Sequence, residues 1–149
     1  MDTARPVTSA GGPQSPGRVL MACWFGRALL GPVREQIRAL AVGQGLHDDQ
    51  SHRFVLAVHE AVTNVVRHGG GHGQLLLWRR AGHVWCEISD HGPGFPATVL
   101  SAAEVTGLAV PAWSGLQIIQ RACTGLDITT DSTGTRLLLS HRAGPLPAP

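Results

Sequence analysis

H-E-A-V-T-N-V-V-R-H, residues His59 to His68, carries three chemically versatile side chains on one side of a helix. Glu60, Asn64 and His68 recur every fourth residue, so in a helix they share one face. Around them stand Phe54, Val55, Leu56, Val58, Val62, Val65 and Val66, the apolar complement of a helix that faces a core. A helix that only filled a core would carry aliphatic residues at the three polar positions too. Alone, the stripe also fits the solvated edge of an amphipathic helix, the commoner reason for polar residues there. Further along, D-H-G-P-G-F runs from Asp90 to Phe95 at the end of an apolar run. A polar helix stripe paired with a glycine turn after a strand points to a nucleotide site.

Working outward from that helix, Asp48 or Asp49 can cap its start, and the glycines after His68 stop it. Upstream, Pro32 suits a first helical turn, and Val33, Ile37, Leu40 and Ala41 follow at helical spacing toward Gly43 to Gly45. Val19 to Phe25 reads as a strand. Downstream, Gln74 to Trp78 and His83 to Ser89 flank Arg79-Arg80-Ala81-Gly82 as a hairpin. Residues 96–113 show no clear period, and Gly115 to Ala122 reads as a short helix. Leu126 to Thr130 and Thr135 to Ser140 form a second hairpin turning at Asp131 to Gly134. Helices first and strand pairs after them predict an α+β two-layer sandwich. Its sheet is mainly antiparallel or mixed and is covered on one face by helices.

The chain has 149 residues, 43% hydrophobic and 15% charged, which fits one globular domain. Residues 1–17, rich in Pro, Gly, Ser and Thr, read as an N-terminal tail, 18–142 as the domain, and 143–149 as a flexible C-terminal tail. No apolar run reaches the length of a membrane span, and no secretory signal pattern opens the chain, so a cytoplasmic protein is expected. Cys23, Cys86 and Cys123 are odd in number and widely spaced, which argues against a disulfide framework or a zinc site. All the basic charge is arginine, so Gly69-Gly70-Gly71-His72-Gly73 lacks the lysine of a Walker-type phosphate loop. A net charge of +2 with scattered arginines argues against direct nucleic-acid binding.

Glu60 has the chemistry of a general base, and Asn64 offers a neutral oxygen to a magnesium ion that keeps most of its waters. Asp90 at a strand end can accept a hydrogen bond from an exocyclic amine, with Gly92 and Gly94 letting backbone approach a flat ring. An ordinary turn is the other reading of that segment, since Asp, Gly and Pro are all turn formers.

The order E-x-x-x-N-x-x-x-H, then D-x-G-x-G-F, then Ser114-Gly115-Leu116, then Gly134-Thr135 resembles the four boxes of the ATP-binding superfamily of DNA gyrase, histidine kinases and mismatch-repair MutL proteins (GHKL). Within it, the chain looks most like the bacterial anti-sigma-factor serine/threonine kinases of RsbW type, whose first helix carries a pair like Val33-Arg34. The resemblance covers roughly Arg27 to Ser140. It implies a histidine-kinase-like (Bergerat) fold with ATP and Mg2+ as cofactors. Glu60 would be the catalytic base, Asn64 the magnesium ligand, and His68 a phosphate-side residue. Asp90 would bind the adenine amine, with Gly92 and Gly94 shaping the pocket. Gly115 and Leu116 would face the phosphates at a helix start, and Thr135 would donate a hydroxyl hydrogen bond beside the adenine. The implied partners are a sigma factor and a small antagonist protein that is phosphorylated, with a homodimer as a further expectation. The third box reads Trp113-Ser114-Gly115-Leu116 where the family has G-x-G-L. That departure favours, as the alternative, a protein-interaction module of the same fold that binds ATP weakly or not at all. A histidine-kinase fragment fits less well, because no dimerisation helix or phosphoacceptor segment precedes the domain.

Overall fold

The computed structural model describes residues 17–92 and 115–146. The first strand, β1 (Arg18–Gly26), passes through a short 3-10 turn (Arg27–Leu29) into helix α1 (Leu30–Gly43), and α2 (Asp49–His68) follows. Then come β2 (His72–Arg80), β3 (His83–Asp90), α3 (Gly115–Ala122), β4 (Gly125–Asp131) and β5 (Gly134–Arg142). The five strands lie in the order β1-β2-β3-β5-β4, and every pairing among them is antiparallel. The mixed component of the expected sheet is therefore absent among the described residues. β2–β3 and β4–β5 are hairpins and β1 pairs antiparallel with β2, while β3 and β4 run in the same direction on either side of β5 without pairing.

Strand alternation puts Leu75 and Leu77 of β2, Cys86 and Ile88 of β3, and Leu137 and Leu139 of β5 on one face. The register aligns Leu77 with Cys86 and Leu139, and Leu75 with Ile88 and Leu137. Against this face α2 buries Phe54, Ala57, Val58, Ala61, Val62 and Val65. The α1 residues Val33, Ile37 and Ala41 flank it on one side, and Leu116 and Ile119 of α3 join the same core. Fully burying such a side chain contributes about 1.5–3 kcal/mol, so the sheet and α2 form the main stabilising layer contact. The opposite sheet face carries Trp78 opposite Trp85, stacked with ring centroids 6.3 Å apart and planes at 7°. Beside them Arg136 donates to Glu87 at 2.6 Å.

Several turns differ from expectation for local reasons. Arg79 and Arg80 belong to β2, so the first hairpin turns on Ala81 and Gly82 alone, both at positive φ (51° and 75°). That is the primed two-residue turn whose twist matches the strands. Asp48 precedes α2 at φ 49°, and its side chain makes no capping hydrogen bond. Its carbonyl instead accepts from the Ser51 hydroxyl at 3.1 Å. The tail that composition predicts from Ala143 onward begins with two anchored residues. Ala143 donates to the Gly82 carbonyl, and Gly144 both donates to the Gly45 carbonyl and accepts from Arg79 at 2.9 Å. Arg79 also donates to the Gln44 carbonyl at 2.6 Å, so one guanidinium ties the α1–α2 connector to the end of β5.

Candidate functional site

Three chain segments converge on one carboxylate. Asp90 ends β3 and is 8% exposed. Its Oδ1 accepts from the Gly92 backbone at 2.8 Å and from the Thr135 backbone at 3.3 Å. Burial pushes the Asp90 carboxyl above the usual carboxylate range, while those two N–H donors and neighbouring His91 pull against the rise. Among the described residues Oδ2 accepts no hydrogen bond, so it is the oxygen available to accept one from a ligand N–H.

Glycine makes this convergence sterically possible. A Cβ on Gly69, just past α2, would lie 2.5 Å from Asp90 Oδ2 and 3.0 Å from the Val65 Cα. One on Gly92 would lie 2.4 Å from the Gly69 carbonyl carbon, and one on Gly134 would fall 1.9 Å from the Asp90 carbonyl oxygen. Gly69 also closes the helix by donating to the Val65 carbonyl at 2.8 Å. The sequence reading takes the glycine run only as a helix stop; its second task, lying flat against Asp90, depends on where β3 ends and leaves no trace in local spacing.

Glu60, Asn64 and His68 lie on α2, and Gly69 follows directly. Asn64 is 7% exposed, and its Nδ2 is buried without a hydrogen-bond partner among the described residues. A buried amide left unpaired is expensive unless a ligand completes it. Glu60 and His68 are half-buried. The placement of Thr135 differs in detail from the expected hydroxyl donor. Its backbone N–H goes to Asp90, and its hydroxyl pairs with the Thr130 hydroxyl at 3.2 Å. The hydroxyl is thus shared with β4, and it is the backbone that orients the carboxylate. Leu116 is 1% exposed within the core, so only its backbone N–H remains to face an anion at the start of α3. Gly115 begins that helix. Gly94, Trp113, Ser114 and residues 96–113 lie outside the described residues.

A helix-covered antiparallel sheet with a buried carboxylate at a strand end defines the class, and sequence comparison supplies the family. The chain belongs to the histidine kinase-like ATPase domain family, whose profile matches residues 25–141. No curated protein matches the chain in sequence. Among solved structures, the RsbU and RsbW domains of Rv1364c from Mycobacterium tuberculosis align with a TM-score of 0.58 at 20% identity. That alignment covers 83% of this chain and 32% of that one, so this chain spans about a third of its length. The mycobacterial sensor histidine kinase MprB aligns with a TM-score of 0.53 at 16% identity, over 84% of this chain and 99% of its own. The Acinetobacter baumannii histidine kinase AdeS gives 0.52 at 10% identity, over 85% and 69%. Likenesses at this identity establish a shared fold. No helix among the described residues is long and apolar enough to cross a membrane.

Proposed function

We propose that this domain binds ATP and acts as an anti-sigma-factor serine/threonine kinase of RsbW type, phosphorylating a small antagonist protein. The observation that carries the reading is the Asp90 carboxylate, held by the Gly92 and Thr135 backbones and closely approached by glycines, with Oδ2 accepting no hydrogen bond among the described residues. A flat purine ring can lie against glycine backbone there and give its exocyclic N–H to Asp90. The unpaired buried amide of Asn64 fits a magnesium site, since exchanging its O and N positions puts the oxygen where no partner is met and one protein oxygen suffices for this ion. A bound magnesium ion would neutralise charge on the β- and γ-phosphates. Glu60, one turn before Asn64, takes the proton of the antagonist hydroxyl as that oxygen attacks the γ-phosphorus and ADP departs. Gly115 and the Leu116 N–H at the start of α3 suit the phosphate end.

Trp113, where the family has glycine, favours a second reading: a module that holds nucleotide loosely and works by protein contact alone. Calorimetry with ATP and magnesium tests the pocket, and transfer of labelled γ-phosphate to candidate antagonists separates the two readings. The Glu60→Ala variant is expected to keep ATP affinity within about threefold and to lose transfer by at least about 10²-fold, the range of general-base contributions. Absent ATP binding by the wild type overturns the pocket. Full transfer by Glu60→Ala overturns the base.

A further inference from the structure

The antiparallel register gathers charge that the sequence scatters. At the end of the sheet where the β2–β3 hairpin turns, Arg18 pairs with Arg79 across β1 and β2. In the next row Arg80, His83 and Arg142 stand side by side across β2, β3 and β5. Four of the chain's twelve arginines thus occupy two adjacent rows that hold no acid among the described residues. Like charges opposite one another weaken a sheet, so this arrangement works against the fold unless something outside neutralises it. Arg79 turns to the Gln44 and Gly144 carbonyls, whereas Arg18, Arg80 and Arg142 are exposed. On the outer sheet face Glu87 and Asp127 share a row through Leu138, and Glu87 is already held by Arg136. That row lies four residues along β3 from His83, about 13 Å, beyond the roughly 8 Å screening length of physiological salt. Asp48 and Asp49, at the start of α2 in the helix layer, are outnumbered by the four arginines of this end. Val19, beside Arg18, and Leu146, two residues past the anchored Gly144, are each 50% exposed.

We infer that the β2–β3 hairpin end of the sheet docks on the anionic phospholipid surface of a membrane, with Arg18, Arg80 and Arg142 on the headgroups and Val19 and Leu146 in the interfacial layer. A surface potential strengthens binding about fivefold for each arginine brought near it, so three supply about 100-fold. Exposed aliphatic side chains add shallow insertion to that attraction. A single-stranded nucleic acid is the poorer fit, because it needs open aromatic faces for its bases. Trp78 is 2% exposed, and Trp85 lies half-buried against it at 7°, with the His83 ring 6.1 Å away. The inference goes beyond the proposed function and does not rest on it. Asp90 stands seven residues along β3 from His83, about 23 Å, so a docked chain holds its Asp90 end away from the bilayer.

The test is co-sedimentation of the full chain, without nucleotide, with vesicles of phosphatidylcholine mixed with phosphatidylglycerol and with vesicles of phosphatidylcholine alone. The mixed vesicles are expected to bind at least about thirtyfold more tightly, with the preference fading as salt rises toward about 1 M. Arg18→Gln with Arg80→Gln and Arg142→Gln should remove most of that preference. The corresponding triple lysine variant should bind as wild type does, because a surface potential reads charge and not the guanidinium fork. Arg27→Gln with Arg53→Gln and Arg121→Gln makes the same change in net charge at other exposed positions, and should stay within about threefold of wild type. Equal binding to the two kinds of vesicle, equal loss in the two triple glutamine variants, or loss in the lysine variant would each overturn the inference. So would displacement of the protein from the vesicles by single-stranded DNA or poly-glutamate at an equal concentration of charge.

Discussion

Gly69→Ala tests the cage around Asp90 at its tightest side-chain contact. The new methyl carbon would start 2.5 Å from Asp90 Oδ2 and 2.7 Å from its Cγ, where ordinary contact begins near 3.4 Å. The carboxylate must therefore move by about 0.9 Å, the difference between 3.4 and 2.5 Å. It cannot do so freely, because Oδ1 is held at 2.8 Å by Gly92 and at 3.3 Å by Thr135, and the Val65 Cα blocks the other side at 3.0 Å. Overpacking of this kind costs about 1–3 kcal/mol. Gly69 sits at φ −104°, which alanine adopts readily, so the reduced entropy of the unfolded chain returns about 0.4–1 kcal/mol. At the middle of the two ranges the net loss is about 1.3 kcal/mol, or roughly 3–5 °C in melting temperature for a domain of this size. In the proposed pocket, displacing the carboxylate would also remove a charge-assisted hydrogen bond to the adenine amine, about 1.5–3 kcal/mol, weakening ATP about 10- to 150-fold. Differential scanning calorimetry without nucleotide and titration calorimetry with ATP and magnesium read the two effects separately. Gly71→Ala is the control, since nothing lies within 4 Å of its Cβ and only the backbone at φ 91° is strained. A Gly69→Ala protein with wild-type ATP affinity and a melting temperature within a degree of wild type would refute the cage.

Asp90→Asn separates function from stability. Burial holds the folded Asp90 carboxyl above its ordinary range, so the stabilisation from its protonated form is present below that range and fades as pH rises through the folded value. Asparagine is neutral throughout and keeps an oxygen for the Gly92 and Thr135 donors. The variant should therefore melt at or above the wild-type temperature at pH 7, with the difference shrinking toward pH 4, while ATP affinity falls at least tenfold; a larger deficit at pH 7 than at pH 4 would contradict the sign. Gly43→Ala, at the solvated last turn of α1 with nothing within 4 Å of the new methyl, should raise stability by about 0.4–1 kcal/mol, read from the denaturant midpoint at unchanged slope.

What sequence reveals here depends on whether the determinant is local. The α2 stripe is legible because helical period is a property of neighbours, and α2 ends at His68 where the glycines begin. The hairpins are legible for a related reason: the turn formers Ala81-Gly82 and Ser132-Thr133 separate short strand-forming runs. The arginines before the first turn look like loop, yet they extend β2, because Arg79 finds two carbonyl acceptors in segments distant in sequence. The Asp48 cap fails in a similar way. Composition predicts an acceptor at the helix start, but the connector enters with a left-handed backbone that only the tertiary path dictates. Leu116 looks like part of a phosphate-facing box, and its side chain is core because α3 must bury one face against α2.

The two readings of D-x-G-x-G that sequence leaves open, ordinary turn and ligand pocket, make different demands on glycine. A turn needs glycine where φ is positive and tolerates a methyl group elsewhere. Gly69 is at φ −104°, and Gly92 is not among the positive-φ residues, so backbone freedom does not explain either. Both are instead required by approach: each would place a Cβ within 3.0 Å of the other's segment or of Asp90. Gly134 adds a third close approach from β5, at the base of the same carboxylate. Three segments stripped of side chains around one buried acid, whose second oxygen is unpaired among the described residues, give up packing and hydrogen bonding that a structural turn would keep. Such a concession is typical of sites where a fold departs from its own packing rules in order to hold a ligand. The unpaired Asn64 amide on the adjoining helix makes the same concession. One flat ligand with an amine at one end and charge at the other would complete both.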